Sequence, residues 1–312
     1  MGEKIAFLLR YAILAPSSHN SQPWWFSVVR NNVEIRPDLR RWLRVADPDH
    51  RELHISLGCA LENFLIAAER FGFGHEVVYP VDGERGGPAA CVTLLAEGAP
   101  STCRPADLFA TIASRATHRG HYEPRPVPED ATAQLRECAV DGGVGLFLTD
   151  DPGVRRQVRE LVVRADRQLF SNTAWRREMG EWIGVGALGD PPLKARATQL
   201  ALTWLDLGGA VARRDAAALA GTPIVGLLYS ARDDRESRVR VGQAFERLTL
   251  MAARRGLATQ PLSQIVELPE IRRSLQALLP DRAACPQHPF RLGYARAAAR
   301  PTPRRPVEAV LA

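Results

Sequence analysis

The chain repeats itself. Gly58–Phe73 and Gly242–Leu257 align without gaps at an offset of 184 residues. They share six of sixteen positions: Gly, Ala, Glu, Ala, Arg and Gly. Both carry one apolar stripe at helical spacing, Leu57/Leu61/Phe64/Ala68 in the first and Val241/Phe245/Leu248/Ala252 in the second. Each stretch closes on a glycine, Gly72 or Gly256, suited to a left-handed helix C-cap. Two unrelated amphipathic helices are the alternative on these stretches alone, but the surroundings favour duplication. A strand-like run, Trp24–Val29, precedes the first helix, and Glu76–Tyr79 and Ala90–Leu95 follow it. Gly143–Leu148 and Ile224–Tyr229 precede the second helix, and Phe290–Tyr294 follows.

Helices mixed with a few strands predict an α+β arrangement in each copy. The proline-rich stretch from Gly98 to Pro105 marks the joint, which divides the chain into units 1–104 and 105–312. The second unit is longer because of an insertion at about 164–214, rich in Trp, Arg, Gly and Pro. Its Trp175, Trp182 and Trp204 suggest a lid over a pocket.

Composition removes several classes. With 312 residues, 46% apolar and 24% charged, the chain is neither disordered, collagen-like nor a disulfide miniprotein. Apolar runs such as Pro223–Tyr229 are too short to span a bilayer, so no membrane segment is expected. The opening Met1-Gly2-Glu3-Lys4 leads straight into a helical pattern, and a cytoplasmic protein is expected. The net charge of +6 comes almost wholly from arginine, since only Lys4 and Lys194 are lysines. No nucleic-acid module accompanies those arginines, so no nucleic-acid partner is expected. Five scattered cysteines form no paired spacing and suit a reducing compartment.

Two apparent motifs fail on context. In His50-Arg51-Glu52-Leu53-His54 the glutamate stands one place late for a zinc helix. That turns it about 100° away from the general-base position, and no metal is expected. The stretch from Gly184 to Gly189 spells a dinucleotide fingerprint, yet it follows a charged segment and runs into Asp190-Pro191-Pro192. A phosphate-binding fingerprint needs a strand before it and a helix after it.

Three other segments carry chemistry. Arg115, Thr117 and Arg119 place two guanidinium forks about a hydroxyl, a set that suits a tetrahedral dianion. The alternative is a solvated basic turn. Pro16, Ser17, Ser18, His19, Asn20, Ser21 and Gln22 form an almost uncharged loop rich in neutral donors and acceptors. It either caps its own backbone or receives a ligand with polar edges. No nucleophile-elbow glycines flank it. After the second repeat helix comes Pro261, and the backbone amides of Leu262 and Ser263 that follow it could face a ligand.

The run Ala15–Trp24 closely resembles the Ala-Pro-Ser-Ser-x-Asn-x-Gln-Pro-Trp signature of the nitroreductase/flavin reductase superfamily. Arg115–Arg119 resembles its Arg-x-Ser-x-Arg phosphate motif with Thr117 for serine, and the tail through Arg304 and Arg305 resembles its basic C-terminal arm. The arginine motif occurs only in the second copy and the Pro-Ser-Ser loop only in the first. These complementary losses look like the Acg-type branch, in which two nitroreductase-like units are fused into a single-chain pseudo-dimer with one FMN pocket under a lid.

The resemblance implies that Arg115, Thr117, Arg119 and Arg304 or Arg305 hold the FMN phosphate. It further implies that Pro16, Ser17, Ser18, Asn20 and Gln22 line the flavin from the other copy. The segment Pro261, Leu262 and Ser263 would meet flavin N5 through a backbone amide. The implied activity is FMN-dependent hydride transfer to or from a small organic substrate, with NAD(P)H as a candidate electron donor. The alternative is a protein that sequesters FMN without turnover. A monomer is expected to suffice, because one chain supplies both halves of the site.

Overall fold

The structure is a computed structural model and describes residues 2–80, 86–296, 299 and 302–312. After α1 (Gly2–Ala12) come β1 (Trp24–Val29), β2 (Asn32–Pro37), α2 (Arg51–Arg70), β3 (Gly74–Val78) and β4 (Ala90–Leu95). Next are α3 (Glu129–Ala139) and β5 (Val144–Thr149), then four consecutive helices. These are α4 (Pro152–Ser171), α5 (Thr173–Gly184), α6 (Pro192–Trp204) and α7 (Gly208–Ala220). The chain then forms β6 (Ile224–Ser230), α8 (Arg235–Arg254), β7 (Ala258–Pro261), α9 (Gln264–Glu267), α10 (Pro269–Gln276) and β8 (Cys285–Gly293). Among the described residues no helix is long and apolar enough to cross a membrane.

Two antiparallel four-stranded sheets result, ordered β1-β2-β4-β3 and β5-β6-β8-β7. The order of elements is the same in both: two strands, a long helix, two strands. The α4–α7 block interrupts only the second set, between its first two strands. The insertion therefore runs from strand end to strand end, wider than the 164–214 that composition suggests. Asp151 caps α4 by accepting from the Val154 amide at 2.7 Å, so the inserted helices begin directly after β5.

The helices α2 and α8 cross at the centre. A side chain on Gly58 would stand 2.0 Å from the Val239 carbonyl oxygen, and one on Gly242 would stand 2.0 Å from that of Ile55. Ile55 and Val239 are themselves 184 residues apart, so the contact maps onto itself as an isologous interface does. Both helices are buried on nearly every face, more than one apolar stripe provides, because each lies between a sheet and the other helix. Their polar residues pair inside this interface. Glu62 accepts from Arg104 Nε at 2.7 Å and Gln243 Nε2 at 2.9 Å, and lies 3.0 Å from Arg247. Trp24, Phe26, Phe64, Phe245, Leu248 and Phe290, drawn from both sheets and both helices, share one core.

The C-terminal segment crosses from the second unit to the first. Phe26 donates its amide to Val310 O at 2.8 Å and accepts from the Ala312 amide at 3.0 Å, so the tail lies along the outer edge of β1.

Candidate functional site

The loop after α1 holds its shape through unusual backbone geometry. His19, Asn20 and Gln22 all have φ near +50°, a region that side chains other than glycine enter at a cost. Side-chain bonds compensate. Ser17 Oγ accepts from the Gln22 amide at 2.9 Å. Asn20 Nδ2 donates to Ala187 O and to Pro303 O, both at 2.8 Å, and its Oδ1 accepts from Arg304 at 3.0 Å. Asn20 thus ties the loop to the inserted helices and to the tail. Gln22 Oε1 accepts the Arg305 amide at 2.7 Å, and the Arg305 side chain turns to Gln22 O, Asp38 and the Trp25 ring.

The arginine motif leaves a turn in which the Arg115 amide donates to Thr111 O at 2.9 Å. His118 donates its amide to Thr259 O at 3.1 Å, and Thr117 forms a bridge with Thr259, which fixes the segment beside β7. This places Arg115, Thr117 and Arg119 at one cavity, with Ala116 between them also in its wall. All three line a small cavity of 70 Å³ together with Pro16, Ser17, Asn20 and Arg304. Pro16, Ser17, Thr117 and Arg119 also line a larger cavity of 470 Å³. The loop after α1 and the arginine segment therefore meet at two adjacent cavities that share these four wall residues.

The small cavity is strongly cationic. Burial, followed by the positive charge of Arg115, pushes Arg304 down to about 10. Among the described residues, the Nε atoms of Arg115 and Arg304 are buried without a hydrogen-bond partner. The counter-charge is Glu246 on α8, 3.8 Å from Arg115. Burial raises that carboxyl to about 7 even though Arg115 works in the other direction. A dianion would satisfy these forks better than the displaced, half-neutral Glu246 does.

The larger cavity is walled by the loop after α1, by α2 and by residues of α8, β7 and β8, and roofed by α4–α7. Glu52, in the first turn of α2, accepts from Ser18 Oγ at 2.6 Å and Ser263 Oγ at 3.2 Å, and its other oxygen lies 3.4 Å from His288 Nδ1. Burial opposes ionisation of Glu52, but His288 and the two hydroxyls outweigh it and the carboxyl lies below its ordinary range. His19, in the same wall, falls to about 4 through burial and the charge of Arg119. The roof is pinned to the first unit: Glu178 accepts the Val45 and Ala46 amides, and Arg41 lies over the Trp182 ring at 5.0 Å.

Of the residues expected at the site, Pro16, Ser17, Ser18, Asn20, Arg115, Thr117, Arg119, Pro261, Ser263 and Arg304 line one or both cavities. Gln22, Leu262 and Arg305 line neither. The Leu262 amide already donates to Pro289 O at 2.8 Å, and its side chain is buried in the core beneath α4. Gln22 and Arg305 are bonded to each other and to Pro303, Asp38 and Ala309. Glu52, His288 and Asp166 are wall residues that the sequence reading passed over. Glu52 stood in the stretch from His50 to His54 that was rejected as a zinc helix. The expected tail also contains Ala297, Ala298, Arg300 and Pro301, which lie outside the described residues.

No protein-family model matches the chain. The Mycobacterium tuberculosis protein named "Putative NAD(P)H nitroreductase Rv3131" is 30% identical over 324 aligned residues, covering 99% of this chain and 91% of the relative. A second protein of that organism, named likewise with the suffix acg, is 26% identical over 97% of this chain and 93% of its own length. Among solved structures, one from Anabaena variabilis, described as "a putative nitroreductase", superposes with a TM-score of 0.52. It does so at 11% identity, over 85% of this chain and 69% of the other, a likeness of fold. With 30% identity sustained along nearly its whole length, the chain belongs to the nitroreductase family.

Proposed function

We propose that this protein is an FMN-dependent oxidoreductase of nitroreductase type, with one flavin site assembled from both units of a single chain. The observation that carries the reading is the convergence of Arg115, Thr117, Arg119 and Arg304 on one small cavity. That cavity shares its wall with a larger one suited to a planar organic group. The names of the relatives support it. The division into units 1–104 and 105–312 belongs to this proposal.

FMN, when bound, supplies the hydride chemistry, and the protein supplies binding, orientation and a dry environment. Arg115, Arg119 and Arg304 would hold the phosphate by charge-assisted bonds, with Thr117 as a neutral donor. Glu52 takes the hydroxyl protons of Ser18 and Ser263, which leaves oxygen lone pairs free for N–H donors inside the cavity. The roof excludes water, which strengthens every polar contact beneath it. Small organic substrates that donate or accept a hydride, with NAD(P)H as electron donor, complete the reading.

A roof pinned at Val45, Ala46, Asn20 and Trp182 favours a second reading, in which flavin is sequestered without turnover. One preparation tests both. The purified protein should be yellow and release FMN on acid treatment. Anaerobic NADPH should bleach it if the oxidoreductase reading is right, and should leave the colour if that donor is excluded. Replacing both Arg115 and Arg119 with alanine should weaken flavin binding roughly several hundredfold, since each lost charge-assisted bond costs about 1.5–3 kcal/mol. Unchanged flavin occupancy in that variant would mean the phosphate sits elsewhere.

A further inference from the structure

The roofed half of the larger cavity has a chemistry of its own. Asp166 on α4 is 3% exposed and lines the cavity, and its Oδ2 is buried without a hydrogen-bond partner. Among the described residues its Oδ1 is met only by a long contact from Gln264 Nε2, at 3.4 Å. Phe170 follows one turn later on the same helix face and also lines the cavity. The Phe170 ring lies 5.0 Å from that of Trp175, which closes the same wall. Arg214 on α7 also lines the cavity and favours ionisation of Asp166 through its charge. Its guanidinium is 72% exposed and bonds Asp215 at 2.9 Å. A buried carboxylate oxygen without a partner beside two aromatic rings lacks one thing, a positive charge on an otherwise apolar body.

We propose that this half of the cavity takes an aromatic or alicyclic molecule bearing a protonated amine, with Asp166 as its counter-ion and Phe170 and Trp175 as its aromatic walls. The proposal deepens the flavin-dependent reading and rests on it, naming the class of organic molecule that stands opposite the cofactor. It excludes anionic acceptors such as carboxylates. The surroundings of Asp166 add a pH signature. Asp47, Glu52, His19, Arg119, His288 and Glu267 also line the cavity. Glu267, which accepts from Trp175 Nε1, is raised to about 8 by burial. Burial, with Asp215 adding to it, pushes Asp166 up to about 7, while Gln264 and Arg214 oppose the rise. An ammonium ligand therefore binds more tightly as pH rises through that value, because it needs the ionised carboxylate.

The test uses the flavin-loaded protein, its loading verified by the visible spectrum, and three probes of similar shape read by calorimetry. These are 4-nitrobenzylamine, 4-nitrobenzyl alcohol and 4-nitrobenzoate. The amine should bind about tenfold or more tighter than the alcohol at pH 8, and the benzoate should bind weakest. The advantage of the amine should shrink at pH 6. In Asp166→Asn it should fall to within about threefold of the alcohol, with the alcohol and the flavin spectrum unchanged. Glu160→Gln, on the exposed face of α4, should keep the full preference. Equal or better binding of the benzoate overturns the substrate class. A preference that survives in Asp166→Asn, or one that ignores pH, overturns the role of Asp166. Failure of the native protein to take up FMN instead removes the parent reading. Probe binding to the flavin-free protein, read in the same calorimeter, keeps the two failures apart.

Discussion

At the scale of single residues, the site is a balance between three guanidinium groups and one displaced carboxyl. Glu246 holds its proton up to about 7 chiefly because it is buried. Arg115, Asn63 and Arg304 favour its ionisation, and Glu62 opposes it. With a folded-state value above the ordinary glutamate range, Glu246 is neutral at pH 6 and charged at pH 8. Charging it costs folding stability as pH rises through 7 and sets a negative charge beside the cavity proposed for phosphate. Glu246→Gln should therefore bind FMN on the order of tenfold tighter than the native protein at pH 8 and equally well at pH 6. Flavin fluorescence titrations at the two values check this, and parallel pH profiles would remove Glu246 from the phosphate environment. The arginine set was legible in sequence because three polar side chains within five residues need only local chain geometry to converge. Asn20 was legible as a loop residue, but its partners Ala187 and Pro303 lie far along the chain and left no local trace. Glu52 was illegible because only the crossing of α2 with the second unit buries its first turn.

At the scale of elements, the sequence spoke most clearly where apolar residues are dense. The strands Trp24–Val29 and Ala90–Leu95 stand where the pattern puts them. β2 passed unnoticed because Asn32, Glu34 and Arg36 leave only Val33 and Ile35 pointing inward. β7, four residues ending in a proline, is a strand only because β8 and the arginine segment flank it. The repeat helices were recognisable, yet the reason for their shared glycine emerges only from the crossing. Gly58 and Gly242 let two backbones touch where any Cβ would strike a carbonyl oxygen, and that obstacle is backbone, which cannot swing aside. Gly58→Ala should cost about 3 kcal/mol or more, with Gly242→Ala costing a similar amount because the contact is reciprocal. Thermal melts of the two variants check both size and symmetry. A marked inequality between them would mean that the two helices are not equivalent partners.

At the scale of the whole molecule, the tail decides what counts as one functional unit. It leaves the second sheet, carries Arg304 into the small cavity, and ends along β1, the edge strand of the first sheet. It thus serves the site and covers an edge that would otherwise offer unpaired amides to another chain. If one chain is complete, a monomer should bind one FMN, and damaged sites should not repair one another. One variant lacks Arg115 and Arg119, replaced by alanine; another ends before Thr302 and so lacks Arg304. Each has lost a different part of the same cavity. In a dimer whose sites draw these parts from opposite subunits, mixing the two variants would rebuild an intact site. In a single-chain site every molecule stays defective, and flavin binding of the mixture should equal the average of the two alone. Fluorescence titration with sedimentation of the same samples distinguishes the cases. Recovery of binding on mixing, at the mass of a dimer, would move the functional unit from one chain to two.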